Sequence, residues 1–120
     1  MQITLTSLMV EDQARALAFY TKVLGFEKKH DIPMGEYRWL TVSSPEGVVG
    51  VELVLEPMAF LPARTYQQAL FEAGIPATAF VTHDIRAEYA RLKALGVNFR
   101  GEPRIMGPAT MVLFEDTCAI

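Results

Sequence analysis

The chain has 120 residues, room for one domain or for two small modules that share a core. About half of it is apolar (51%), the formal charge is −3, and there is one cysteine. These values exclude a phosphate-neutralising basic surface, an internal disulfide and a multi-cysteine zinc site, and no apolar run approaches the ~20 residues that span a bilayer.

The N-terminal stretch MQITLTSLMVED has no basic segment and no small-residue cleavage site. It does not read as a signal peptide, and a cytoplasmic location is expected, with neither nucleic acid nor membrane as partner. Residues Ile3 to Val10 alternate loosely and carry Thr and Ile, as a strand does. Asp12 then stands before QARALAFYTKVL, where its carboxylate can cap free backbone N–H groups at the positive end of a helix. Leu17, Tyr20 and Leu24 recur at helical spacing, and Gly25 suits the left-handed residue that ends the helix.

Three extended stretches follow: Glu27–Ile32, Tyr37–Val42 and Val48–Glu56. Pro33-Met34-Gly35 and Ser43-Ser44-Pro45-Glu46-Gly47 mark the turns between them. Residues 57–76 carry Pro57, Pro62 and Pro76, with a short helix predicted over Thr65–Ala73 and ended by Gly74. The segment is too apolar for a free linker and is expected to pack across the protein.

Ala77–Thr82 reads as a strand, Asp84 as the cap of IRAEYARLKAL, and Gly96 as that helix's end. A shift of 71 places Val10 on Val81, Lys22 on Lys93, Leu24 on Leu95 and Gly25 on Gly96, while the two caps miss by one residue. Asn98–Pro103 and Ala109–Asp116 follow as extended segments, with Met106-Gly107-Pro108 between them. Residues 1–56 thus read as a βαβββ module and 77–120 as a second, shortened βαββ module. One such unit covers a single face of its sheet and cannot close a core. Two side by side form an α+β domain with a curved, mixed-sheet cup, helices outside and a pocket within.

Four stretches then resemble one family. VEDQARALAFYTKVLGF, WLTVSSPEG followed by VELVL, DIRAEYARLKALGVNF, and MGPATMVLFEDTC stand in the order found in the glyoxalase/bleomycin-resistance/dioxygenase (vicinal oxygen chelate) superfamily. The resemblance covers nearly the whole chain. It implies one divalent ion inside the cup, held by His, Gln or Glu side chains from both modules and chelated by a substrate's adjacent oxygens.

Carried over residue by residue, that ligand set is incomplete. The first-strand ligand position falls near Leu5, which cannot ligate. The fourth-strand carboxylate matches Glu52. The position on the first strand of the second half falls near Thr78, whose hydroxyl is a poor ligand. The last turn reads Asp116-Thr117-Cys118-Ala119-Ile120, and the chain stops before the final ligand position. The set predicts no cofactor and argues against a divalent metal. His30 and His83 sit elsewhere and read as solvated or local hydrogen-bonding residues.

Strand alternation sends Val51, Leu53 and Leu55 to the core and Glu52, Val54 and Glu56 outward or into the cup. If Glu52 is buried there it needs a partner, Arg38 on the neighbouring strand being one candidate, or its pKa rises. Tyr37 and Trp39 share one face of their strand and offer a wall for a flat ligand, or else pack in a core or interface. Glu115 and Asp116 point to opposite faces and make a poor catalytic pair. Cys118 has no His partner that would activate it. Leu5, Tyr37, Trp39, Glu52 and Thr78 are therefore the pocket candidates.

Three functions remain open. The first is a metal-free small-molecule-binding protein. The second is a metal-dependent lyase or dioxygenase acting on a small oxygenated substrate, with non-standard ligands such as Glu52 with His30 or His83. The third is a structural partner whose cup is filled by side chains. The shortened last strand leaves an unpaired edge, and a homodimer is expected.

Overall fold

In the computed structural model, which describes residues 1–116, strand β1 (Leu5–Val10) runs up to Asp12. The Asp12 carboxylate accepts the Arg15 N–H at 3.0 Å and starts helix α1 (Gln13–Ala18). The chain then widens into a π-helical turn over Phe19–Val23, closed by Leu24 N–H to the Phe19 carbonyl at 3.1 Å. The extra residue in that turn lets two consecutive aromatics, Phe19 and Tyr20, both enter the core. Asp84 repeats the capping move on helix α3 (Ile85–Ala94), accepting the Ala87 N–H at 3.0 Å. Gly25 and Gly96, equivalent in the duplication, both follow their helices at positive φ (85° and 89°), where a side chain is strained.

Strands β2 (Glu27–Met34), β3 (Tyr37–Ser43) and β4 (Glu52–Pro57) complete a four-stranded sheet in the order β1-β4-β3-β2. Strand β1 is parallel to β4, and the other pairs are antiparallel. One face of the sheet buries Leu8, Val10, Leu40, Val42, Leu53 and Leu55 against Ala16, Phe19 and Tyr20, which is the core. The fold is α+β, with βαβββ-like modules and a mixed curved sheet, as the pattern predicts.

Several boundaries differ from expectation for physical reasons. Strand β2 continues through Pro33 because it is an edge strand, where a missing N–H costs no ladder bond. Strand β4 begins at Glu52, since Val48–Val51 form a turn (Val51 N–H to the Val48 carbonyl, 3.3 Å) with Gly50 at φ 89°. The second helix, α2, spans Leu61–Ala73 and starts earlier than Thr65 because Pro62 lies in its first turn, where a missing N–H is tolerated. It lies across the protein, and its buried Gln67 donates to the Met9 carbonyl of β1 at 3.1 Å.

Ala77–Thr82 is not a strand. It has no ladder partner among the described residues. Phe80 instead packs edge-on against Tyr20 and Phe26, with centroids 6.1 and 5.3 Å apart, and Val81 is 99% exposed. The later strands are short. Strand β5 (Asn98–Phe99) pairs with β8 (Phe114–Glu115), and β6 (Arg104–Met106) pairs with β7 (Ala109–Met111). The longer strands expected here break off at residues 100–103, where Gly101 takes φ 143°, and at residues 112–113 between β7 and β8. Among the described residues, no helix is long and apolar enough to cross a membrane.

Candidate functional site

Directly paired residues share a sheet face, as do residues two apart on a strand. The register therefore collects most of the pocket candidates. Leu5 stands opposite Glu52, Thr41 opposite Val54, and His30 opposite Thr41. Leu5, Glu52, Thr41, Trp39, Tyr37 and His30 all lie on the face away from α1. Thr78 does not join them. It lines a cleft of about 230 Å³ on the other side of the protein, with Tyr20, Gln67, Phe71 and Phe114. That cleft is the seam where α2 meets the second half of the chain. Its lining is mostly apolar, and the polar cluster sits on the sheet face instead.

The centre of that cluster is Glu52. Thr41 Oγ1 donates to Glu52 Oε1 at 2.6 Å, and His30 Nδ1 lies 2.8 Å from the same oxygen. The His30 backbone N–H donates to Thr41 Oγ1 at 3.1 Å. Thr41 is fully buried beneath the pair, while the Glu52 and His30 side chains are 23% and 47% exposed. The hydroxyl of Thr41, and then the imidazole of His30, hold the Glu52 carboxyl below its ordinary pKa. The pKa rise that burial alone would give does not occur.

Arg38, the candidate partner of Glu52, is engaged elsewhere. As the neighbour of Trp39 on β3 it points to the opposite face. There it forms a bidentate pair with Asp31 (Nε–Oδ1 2.9 Å, Nη2–Oδ2 2.8 Å) that lowers the Asp31 pKa.

His30 reaches the site because of a β-bulge. Lys28 pairs with Val42 and His30 with Thr41, so Lys29 is the extra residue between them. In a regular ladder Lys29 would face Thr41, and His30 would face Leu40 on the core side. The sequence reads His30 as a solvated or local hydrogen-bonding residue and couples it to Glu52 only in the non-standard ligand alternative. A bulge changes pairing between distant segments and leaves no composition signal here. His83 lies apart, beside Glu46, Asp84 and Glu88 near the start of α3.

Sequence reasoning also passed over Gln13. Its buried amide donates to the Arg38 carbonyl (2.7 Å) and the Leu55 carbonyl (2.9 Å) and accepts the Arg38 N–H (3.1 Å). It ties β3 to β4 beyond their two paired positions, Thr41–Val54 and Val42–Leu53.

The donor set does not fit the family's ion. Leu5 occupies the position facing Glu52 and offers no lone pair. Thr78 is in the cleft, and Glu52 Oε1 is already engaged by Thr41 and His30. Among the described residues, no group of three or more His, Cys, Asp or Glu side chains converges on one point. Thr117 to Ile120, including Cys118, lie outside the described residues.

Comparison with known proteins agrees with this architecture. The family described as "Glyoxalase/Bleomycin resistance protein/Dioxygenase superfamily" matches residues 2–119. The Bacillus subtilis (strain 168) protein YurT is 51% identical over 118 residues, covering 98% of this chain and 93% of YurT. The crystal structure of UcmS2 superposes with a TM-score of 0.80 at 30% identity, covering 98% of this chain and 93% of UcmS2. TnmS3, described as an antibiotic binding protein from Streptomyces sp. CB03234, superposes with a TM-score of 0.70 at 27% identity, covering 99% of this chain and 89% of TnmS3.

Proposed function

The chain belongs to the glyoxalase/bleomycin resistance protein/dioxygenase superfamily, and within it we propose a metal-free, cytoplasmic small-molecule-binding protein whose ligand lies on the open sheet face over Glu52, Tyr37 and Trp39. The observation that carries this reading is the pairing of Leu5 with Glu52. An apolar side chain stands where the family's ion would need a ligand, beside a carboxylate already satisfied by Thr41 and His30. What remains is a recognition surface with an aromatic wall and one polar cluster, the usual composition of a ligand site. The antibiotic-binding description of TnmS3 supports the same class of function.

A homodimer completes the reading. One edge of β1 is paired with β4, and its other edge has no ladder partner among the described residues. Ala77–Thr82, the equivalent segment in the duplication, likewise has no ladder partner. Each supplies backbone donors and acceptors that the other needs. Pairing β1 of one copy with Ala77–Thr82 of a second extends the sheet and turns its open face into a cup.

The sole tryptophan of the chain, Trp39, gives a direct assay. Ligands of this site change its fluorescence, and substitution of Tyr37 or Glu52 weakens the response. Metal analysis of the purified protein separates the classes. Stoichiometric Fe, Zn, Ni or Mn would establish the alternative, a lyase or dioxygenase that uses Glu52 and His30 as non-standard ligands.

A further inference from the structure

The hydrogen bonds around Glu52 fix which nitrogen of His30 carries its proton. Thr41 has one hydroxyl proton, and it is given to Glu52 Oε1 at 2.6 Å. The Thr41 oxygen meanwhile accepts the His30 backbone N–H at 3.1 Å. Glu52, held below its ordinary pKa, is a carboxylate and can only accept. His30 Nδ1 lies 2.8 Å from that carboxylate oxygen and 3.2 Å from the Thr41 oxygen. Neither atom has a proton to give it, so Nδ1 must be the donor. In the neutral ring the lone pair is then on Nε2. Nε2 has no hydrogen-bond partner among the described residues, and the half-exposed ring opens onto the sheet face.

We propose that His30 Nε2 is the polar anchor of the ligand site, a fixed acceptor that selects a flat aromatic molecule bearing a hydroxyl donor. This rests on the ligand lying on the sheet face as proposed above. The surroundings choose the rest of the class. Trp39 is two residues from Thr41 on the same face, about 6–7 Å along the strand. Ile32 pairs with Trp39 and adds an apolar neighbour. A ring lying on Trp39 and Ile32 thus brings a substituent within reach of His30. Glu52 and Lys29 are the charged groups beside the imidazole, and Glu52, the one in contact, repels a carboxylate-bearing ligand. A neutral hydroxyl meets no such cost. The Glu52–Thr41 support also holds the ring in one orientation, which reduces the entropy lost on binding.

The test uses 7-hydroxycoumarin and its 7-methoxy ether, two flat probes that differ in the donor proton. Binding is followed near neutral pH by the indole N–H resonance of Trp39, and the ring nitrogens of His30 by 15N NMR. The hydroxyl probe is expected to bind about tenfold more tightly than the ether, the scale of one good hydrogen bond. In His30→Ala that preference vanishes while the affinity for the ether stays. The free protein shows His30 as the Nδ1–H tautomer, and only the hydroxyl probe shifts Nε2. Equal affinities for the two probes, a preference that survives in His30→Ala, or an Nε2–H tautomer would each overturn the proposal while leaving the sheet-face site intact. A Trp39 resonance that neither probe moves would overturn the site itself, and the anchor with it.

Discussion

His30 Nδ1 and Glu52 Oε1 are 2.8 Å apart, although 22 positions separate them in sequence and β3 lies between their strands. They meet over Thr41, whose hydroxyl accepts from one and donates to the other. This small network accounts for the low pKa of Glu52 and gives it a measurable signature.

A carboxyl whose folded pKa is depressed stabilises the protein above its unfolded pKa, here about 4.5, and that stability is lost as pH falls through the lower folded value. Urea midpoints measured across the acid range should therefore fall more steeply for the native protein than for Glu52→Gln. Asp31 acts in the same direction through Arg38 and is common to both proteins, so the difference belongs to Glu52. Parallel curves would refute the network.

Thr41→Val keeps the shape of a fully buried side chain and removes its hydroxyl. Both the His30 backbone N–H and Glu52 lose a partner. The expected loss is about 1–3 kcal/mol, read from the urea midpoint, with little change in the far-UV spectrum.

Deleting Lys29 should turn the bulge into a regular ladder and move His30 to the core side of β2. The protein is expected to fold less stably. It should also lose the steep Glu52-dependent acid response, which distinguishes a register change from simple loss of a surface lysine. Lys29→Ala should retain that response.

Gln13→Leu should cost about 2–4 kcal/mol, because two carbonyls and one N–H lose their partner at once. Hydrogen exchange at Arg38 should accelerate more than exchange at Val42, whose strand pairing does not involve Gln13.

Val81 makes no use of its apolar surface within one chain, being 99% exposed. If a second copy covers it, Val81→Lys should lower the mass measured by light scattering to that of a monomer and leave the thermal midpoint of the single chain nearly unchanged. A native protein that is already monomeric would refute the dimer.

How much of this was legible in the sequence follows the range of the interaction. Asp12, Asp84, Gly25 and Gly96 act within one helical turn, and their roles could be read directly. The shared face of Tyr37 and Trp39 followed from strand alternation, and so did the core positions Leu53 and Leu55, but Val51, expected with them, lies in the turn before β4 and is exposed. Val54 was expected on the outward face with Glu52, yet it is buried there too. His30 could not be placed, because its face depends on one unpaired residue, Lys29. Strand adjacency made Arg38 a candidate partner of Glu52, whereas its parity along β3 sends it to Asp31. Ala77–Thr82 has strand composition but no ladder partner among the described residues, and composition carries no record of whether a partner exists.

Leu5 pairs with Glu52, and β1 takes its place only beside β4. During synthesis the first strand therefore emerges from the ribosome with no strand to pair with. It must wait for nearly half of the chain, while the β2–β3 hairpin can already close behind it. The molecule is assembled from its interior outward, and the N-terminal residues are among the last of their sheet to become protected. Early translation intermediates should expose Leu8 and Val10 to chaperones, and a fragment that ends before Glu52 should remain unable to sequester them.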